Sequence, residues 1–91
     1  MPHRIRTSTE AKRDLRDLPG FIRQRAVRMI KALADDPRPT GTKELRGNPG
    51  IYRLRLERWR IIYRIDDHDK LVSLIRVPRK TGPETYENLE S

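Results

Sequence analysis

Two periodicities divide this chain, and the change from one to the other constrains its fold more than any other feature. Between Ala11 and Leu33 the apolar residues recur every three or four positions, whereas from Ile51 to Val77 apolar and polar side chains largely alternate. A short alternating segment, Arg4-Ile5-Arg6, precedes the helical part and reads as a strand. Thr7-Ser8-Thr9-Glu10 then has the T-x-x-E form of a capping box, which predicts a helix start at this point. Ala11, Leu15 and Leu18 give that helix one apolar face, and Pro19-Gly20 breaks it. A second helix is predicted from Phe21 to Ala34, with Ile22, Ala26, Met29, Ile30 and Leu33 as its apolar stripe. Arg23, Arg25, Arg28 and Lys31 fall mostly on its outer faces. A two-residue break leaves the helices little choice but an antiparallel hairpin.

Residues 35–50 read as a loop punctuated by Pro37, Pro39, Gly41, Gly47, Pro49 and Gly50, in which only Lys43-Glu44-Leu45 could pack. Loops of this length in a small domain are often functional. The glycines do not form a phosphate loop, because no G-x-x-x-x-G-K-[ST] string is present. Beyond the loop, Ile51 to Leu56, Trp59 to Ile65 and Lys70 to Val77 are rich in β-branched, aromatic and alternating residues and predict three strands. The short links Glu57-Arg58 and Asp66-Asp67-His68-Asp69 predict an antiparallel meander. A short helical tail is expected from Pro83 to Leu89. The expected fold is α+β, in the order β-α-α-β-β-β, with an N-terminal helical hairpin packed on an antiparallel sheet and a short C-terminal tail. One domain is expected to take up residues 1–91.

Register turns these strands into a site. If Glu57-Arg58 is a two-residue turn, Leu56 faces Trp59, Leu54 faces Ile61 and Tyr52 faces Tyr63. These six apolar or aromatic residues share one side of the hairpin, which should cover the helices. The other side then carries Arg53 opposite Ile62, Arg55 opposite Arg60, and Arg64 opposite Ile51. Like charges directly opposed across strands are destabilising, so the Arg55–Arg60 pair suggests that an anion normally sits between them. Arg79 and Lys80 follow Pro78 and are expected at the rim of this platform, with Tyr86 able to fold over it.

The charge agrees with that reading. Lys and Arg number 21 against 13 Asp and Glu, for a net charge of +8. Arginine outnumbers lysine by sixteen to five. Its planar fork of donors matches phosphate, so a polyanion is the expected partner, nucleic acid before an anionic membrane surface. With no cysteine, disulfides and thiolate metal sites are excluded. His3 is read as lying at a mobile terminus and His68 in an aspartate-rich turn, so no histidine-based catalytic site is expected. Asp66, Asp67 and Asp69 lack EF-hand spacing and read as a solvated turn. No metal and no small-molecule cofactor is expected. No apolar run reaches the roughly 20 residues of a membrane span, and no signal-like stretch follows the basic start, so a soluble cytoplasmic protein is expected.

The element order and one stretch of sequence resemble the RelE/ParE superfamily of toxins from toxin–antitoxin pairs. The stretch is Pro37-Arg38-Pro39, Leu45-Arg46-Gly47, Ile51-Tyr52-Arg53-Leu54-Arg55-Leu56 and Trp59-Arg60-Ile61-Ile62-Tyr63-Arg64-Ile65. The resemblance covers nearly the whole chain. On its RelE-like side it implies a ribosome-dependent endoribonuclease that cuts mRNA in the A site without a metal, the 2′-hydroxyl of one nucleotide attacking the adjacent phosphate. It implies that Arg53 and Arg55 line the site, that Arg60 contacts the scissile phosphate, that Lys80, with Arg79 beside it, adds charge, and that Tyr86 is catalytic. With no histidine at this site, the proton acceptor is then Tyr86 or a neutral lysine. The implied partners are a cognate acidic antitoxin, the ribosome and mRNA. Two other activities stay open: a ParE-like inhibitor of DNA gyrase without nuclease activity, and a basic module that binds RNA or ribosome without cutting.

Overall fold

A computed structural model describes residues 2–80, so Tyr86 and the expected tail lie outside the described residues. Strand β1 (Arg4–Thr7) leads into helices α1 (Thr9–Arg16) and α2 (Gly20–Ala32). Four strands follow: β2 (Lys43–Glu44), β3 (Ile51–Leu56), β4 (Trp59–Asp66) and β5 (Leu71–Arg76). They form one sheet in the order β1-β5-β4-β3-β2. Every neighbouring pair is antiparallel except β1 on β5, which is parallel. The architecture is the expected α+β one, with two refinements. The sheet is mostly rather than wholly antiparallel, and Lys43–Glu44 adds an edge strand within the expected loop.

Helix α1 starts one residue later than the capping box implies. Thr7 ends β1, and Ser8 is the N-cap: its Oγ accepts from the Ala11 amide at 3.0 Å. The same hydroxyl donates to the Ile75 carbonyl at 2.8 Å, so one side chain caps the helix and ties it to β5. Such a cap contributes about 1 kcal/mol. At the other end of α1, Arg23 of α2 donates to the Leu18 carbonyl at 3.2 Å, placing a cation on the negative end of the helix dipole. Helix α2 ends two residues before the predicted Ala34.

The core lies between the helices and one face of the sheet. Ala11, Leu18, Ile22, Ala26, Ile30 and Leu33 meet Leu54, Leu56, Ile61, Tyr63, Ile65, Val72, Leu74 and Val77, with Leu15, Met29, Tyr52 and Trp59 packed against them. The β3–β4 register is the expected one at all six positions from Ile51↔Arg64 to Leu56↔Trp59. Glu57 takes a φ of 54° in the tight turn, a left-handed conformation that stands in for the missing glycine or asparagine. Where β5 runs past the end of β1, Asp14 accepts from the Val77 amide at 2.9 Å and from Arg76 Nε at 2.7 Å, closing the open strand edge.

The loop between α2 and β3 is pinned rather than loose. Tyr63 donates its hydroxyl to the Pro37 carbonyl at 2.8 Å. The Arg38 guanidinium donates to Asp67 Oδ2 at 2.9 Å and to the Tyr52 hydroxyl at 3.3 Å, while lying 5.1 Å from the centre of the Tyr52 ring. His3 is likewise not at a mobile terminus. Its amide donates to the Ala34 carbonyl at 2.7 Å, and its Nε2 lies 3.3 Å from Asp67 Oδ1. No described helix is long and apolar enough to cross a membrane.

Candidate nucleic-acid interface

Strand alternation decides which side chains can meet. Tyr63 and Ile65 of β4 face the helices, so Arg60, Ile62 and Arg64 face away from them. Their partners Arg55, Arg53 and Ile51 on β3 share that outer face. The structure therefore brings Arg53, Arg55 and Arg60 onto one side of the hairpin. Arg55 is exposed and Arg53 is half-buried.

Arg60 behaves differently from its neighbours. It is only 3% exposed, and its Nη1 donates to the carbonyls of Trp59 at 3.0 Å and Glu57 at 3.3 Å. The guanidinium thus folds back onto the tight turn, which moderates its repulsion with Arg55 directly opposite. Its Nε is buried and has no hydrogen-bond partner among the described residues. A buried donor left unmade costs about 1–3 kcal/mol, more for a charged group, so the position carries a desolvation cost that the described residues do not offset.

The rim residues divide between the two sides. The chain continues past β5 alongside β4: the Arg60 amide donates to the Pro78 carbonyl at 2.9 Å, Trp59 bridges to Arg79, and the Lys80 amide donates to the Arg58 carbonyl at 2.6 Å. Arg79 therefore follows Trp59 to the helix side. There it lines a groove of about 390 Å³ with Pro19, Phe21, Ile22, Glu57, Arg58 and Trp59. By alternation the Lys80 position falls on the outer side with Arg60. Of the two basic candidates, Lys80 is thus the one placed on the arginine face.

The cluster that sequence reasoning missed lies at the other end of the same hairpin. Arg38, Asp67, Tyr52 and His3 form a polar group there. The Arg38 hydrogen bond holds the Asp67 carboxyl below the usual carboxylate range, and Asp67 in turn raises Arg38. Burial pushes the Tyr63 phenol up. An aspartate-rich turn gives no sign of a partner 29 positions away, although the Pro37-Arg38-Pro39 segment was visible. Among the described residues no group of three or more His, Cys, Asp or Glu is arranged to hold a metal ion.

Comparison with known proteins identifies the family and the fold. Residues 5–81 match the family described as the ParE toxin of type II toxin–antitoxin systems, parDE. The chain is 33% identical to toxin RelG of Mycobacterium tuberculosis, over 88% of this chain and 93% of that one. A crystal structure of the toxin–antitoxin complex RelBE2 from the same organism contains a chain that superposes with a TM-score of 0.76 at 33% identity, covering 88% of this chain and 100% of the other. The free-state structure of an arginine double mutant of Escherichia coli toxin RelE shares the fold, with a TM-score of 0.80 at 23% identity over 99% of this chain and 96% of that one. The chain belongs to the RelE/ParE superfamily and is a RelE-like toxin of a type II toxin–antitoxin pair.

Proposed function

We propose that this toxin is a single-domain, ribosome-dependent endoribonuclease that acts in the cytoplasm and cleaves mRNA in the ribosomal A site without a metal. The observation that carries the reading is Arg60: a buried guanidinium whose Nε has no hydrogen-bond partner among the described residues, directly across the hairpin from exposed Arg55. Two cations opposed across a strand pair are stabilised by a phosphate placed between them.

In this mechanism the Arg60 side chain turns out from the turn carbonyls, and its guanidinium and that of Arg55 hold the non-bridging oxygens of the scissile phosphate. Arg53 adds positive charge beside them. The 2′-oxygen gives up its proton, bonds to phosphorus, and the bond to the 5′-oxygen breaks, leaving a cyclic phosphate and a 5′-hydroxyl. The negative charge that builds on the phosphorane is stabilised by the arginines, a contribution of about 10²–10³ in rate for a single well-placed donor. The Tyr86 phenolate or a neutral Lys80 accepts the proton of the 2′-hydroxyl, and the other, in its protonated form, supplies one to the leaving oxygen. Arg79, on the helix side of the tip, stands away from the phosphate and takes no part in this step.

The antitoxin follows from the same charge. RelBE2 of M. tuberculosis and RelBE of E. coli are crystallised as toxin–antitoxin complexes. An acidic antitoxin that covers the arginine face or the helix surface would neutralise part of the +8 charge and extend a small core.

A second reading is favoured by one observation, since the matching family model is described by ParE. On that reading the chain inhibits DNA gyrase and cuts nothing. Expression in a translating extract, with cleavage sites mapped on mRNA with and without ribosomes, separates the two when run beside a gyrase supercoiling assay. Cuts that appear only with ribosomes are the expected result. Intact mRNA together with blocked supercoiling would overturn the proposal in favour of gyrase.

A further inference from the structure

The register across the whole sheet places more cation on the outer face than the hairpin alone carries. Arg64 of β4 pairs with Ser73 of β5, and Ser73 pairs with Arg6 of β1. Ile5 of β1 packs against the core, so Arg6 must point away from it, to the same side as Arg64. The row Arg64–Ser73–Arg6 thus sets two exposed arginines on either side of a short, half-buried hydroxyl side chain. Neither arginine has an ion pair or hydrogen bond from its side chain to any described residue, whereas Arg25, Arg38 and Arg76 each have a carboxylate partner. The one acidic side chain that the strands place on this face is Asp66, and its Oδ1 accepts from the Asp69 amide at 2.9 Å.

We propose that this row is a second phosphate seat, which holds the backbone of the RNA strand several nucleotides away from the bond that is cut. The proposal rests on the outer face being an RNA-binding surface, as the nuclease reading requires. Its chemistry is that of a polyphosphate backbone. Arginine forks match phosphate oxygens, and the serine hydroxyl can donate to a third. Its distance from the reaction centre suits a strand running diagonally over the sheet. From Arg55 to Arg6 is three strand spacings across and about four residues along, or roughly 20 Å. That is about six stacked nucleotides at 3.4 Å each, and fewer if the strand is extended.

The test is direct binding of labelled single-stranded RNA to the full chain, with a twelve-nucleotide and a three-nucleotide probe. The variant is R6A/R64A; the control is R13A/R28A, which removes the same charge from exposed positions on the helices. With the long probe, R6A/R64A should weaken binding about tenfold, and its slope of log affinity against log salt should fall by about 1.4, or 0.7 for each phosphate no longer neutralised. The short probe should bind both variants alike. Equal weakening in the two variants would reduce the row to long-range charge. Unchanged binding by R6A/R64A would mean that Arg6 only guards an exposed sheet edge. Weaker affinity for an acidic antitoxin with RNA binding intact would assign the row to a protein partner. Each of these three results overturns the proposal. Because the assay reads binding and not cleavage, its outcome is separate from that of the extract experiment.

Discussion

Lys70 and Glu57 both turn corners of the meander through left-handed backbone, with φ of 53° and 54°. For a residue with a Cβ that conformation costs roughly 1–2 kcal/mol, and neither residue is a glycine or asparagine. Glu57 recovers part of the cost through its 2.8 Å ion pair with Arg25, whereas Lys70 is exposed and has no side-chain partner among the described residues. Lys70→Gly should therefore stabilise the protein by about 1 kcal/mol, which for a domain of this size raises the melting temperature by roughly 4–8 °C. Asp69→Gly, next door, should lower it. Thermal unfolding followed by circular dichroism checks both, and an unchanged or lower midpoint for Lys70→Gly would contradict the assignment of strain. Arg60 presents the opposite case, a buried cation whose Nε has no hydrogen-bond partner among the described residues.

At the scale of elements, the loop after α2 is held by a clamp that depends on charge. Arg38 keeps the Asp67 carboxyl below its ordinary range, so Asp67 binds its proton less readily folded than unfolded. The sign follows: the clamp contributes fully above the ordinary carboxylate pKa near 4, and its contribution disappears as the pH falls through the lower folded value. Wild type should thus melt above Asp67→Asn at pH 6, and the gap should close as the pH is lowered from about 4 toward 2. A gap that stays constant over that range would show that Arg38 and Asp67 do not form the clamp in solution. The clamp was hidden in the sequence, because nothing local links a residue between two prolines to an aspartate in a distant turn. The β3–β4 register was legible for the converse reason. Both strands alternate, and a two-residue turn admits one alignment that puts Leu54, Leu56, Ile61 and Tyr63 on the same side. The strand β2 has only two residues and no period to read. The parallel pairing of β1 was equally hidden, since four residues do not say which neighbour they will choose.

For the whole molecule, alternation fixes the face on which a charge stands but not what its side chain does there. The sequence placed Arg53, Arg55 and Arg60 together, and the sheet keeps them together. That Arg60 would bury itself against the turn carbonyls, and that Arg79 would cross to the helix side, depended on the chain beyond β5 pairing with Arg58, Trp59 and Arg60. The assembled picture is a helical layer that supplies the core and a cationic sheet face that, in the proposed function, meets RNA. The rate of mRNA cleavage by Arg60→Ala in a translating extract, beside its co-sedimentation with ribosomes, tests that picture most directly. Cleavage should fall by about 10²–10³ with ribosome association retained, and Arg60→Lys should recover little of it, because an ammonium lacks the fork. Wild-type cleavage by Arg60→Ala, or reduced cleavage that only follows weakened ribosome binding, would contradict the account.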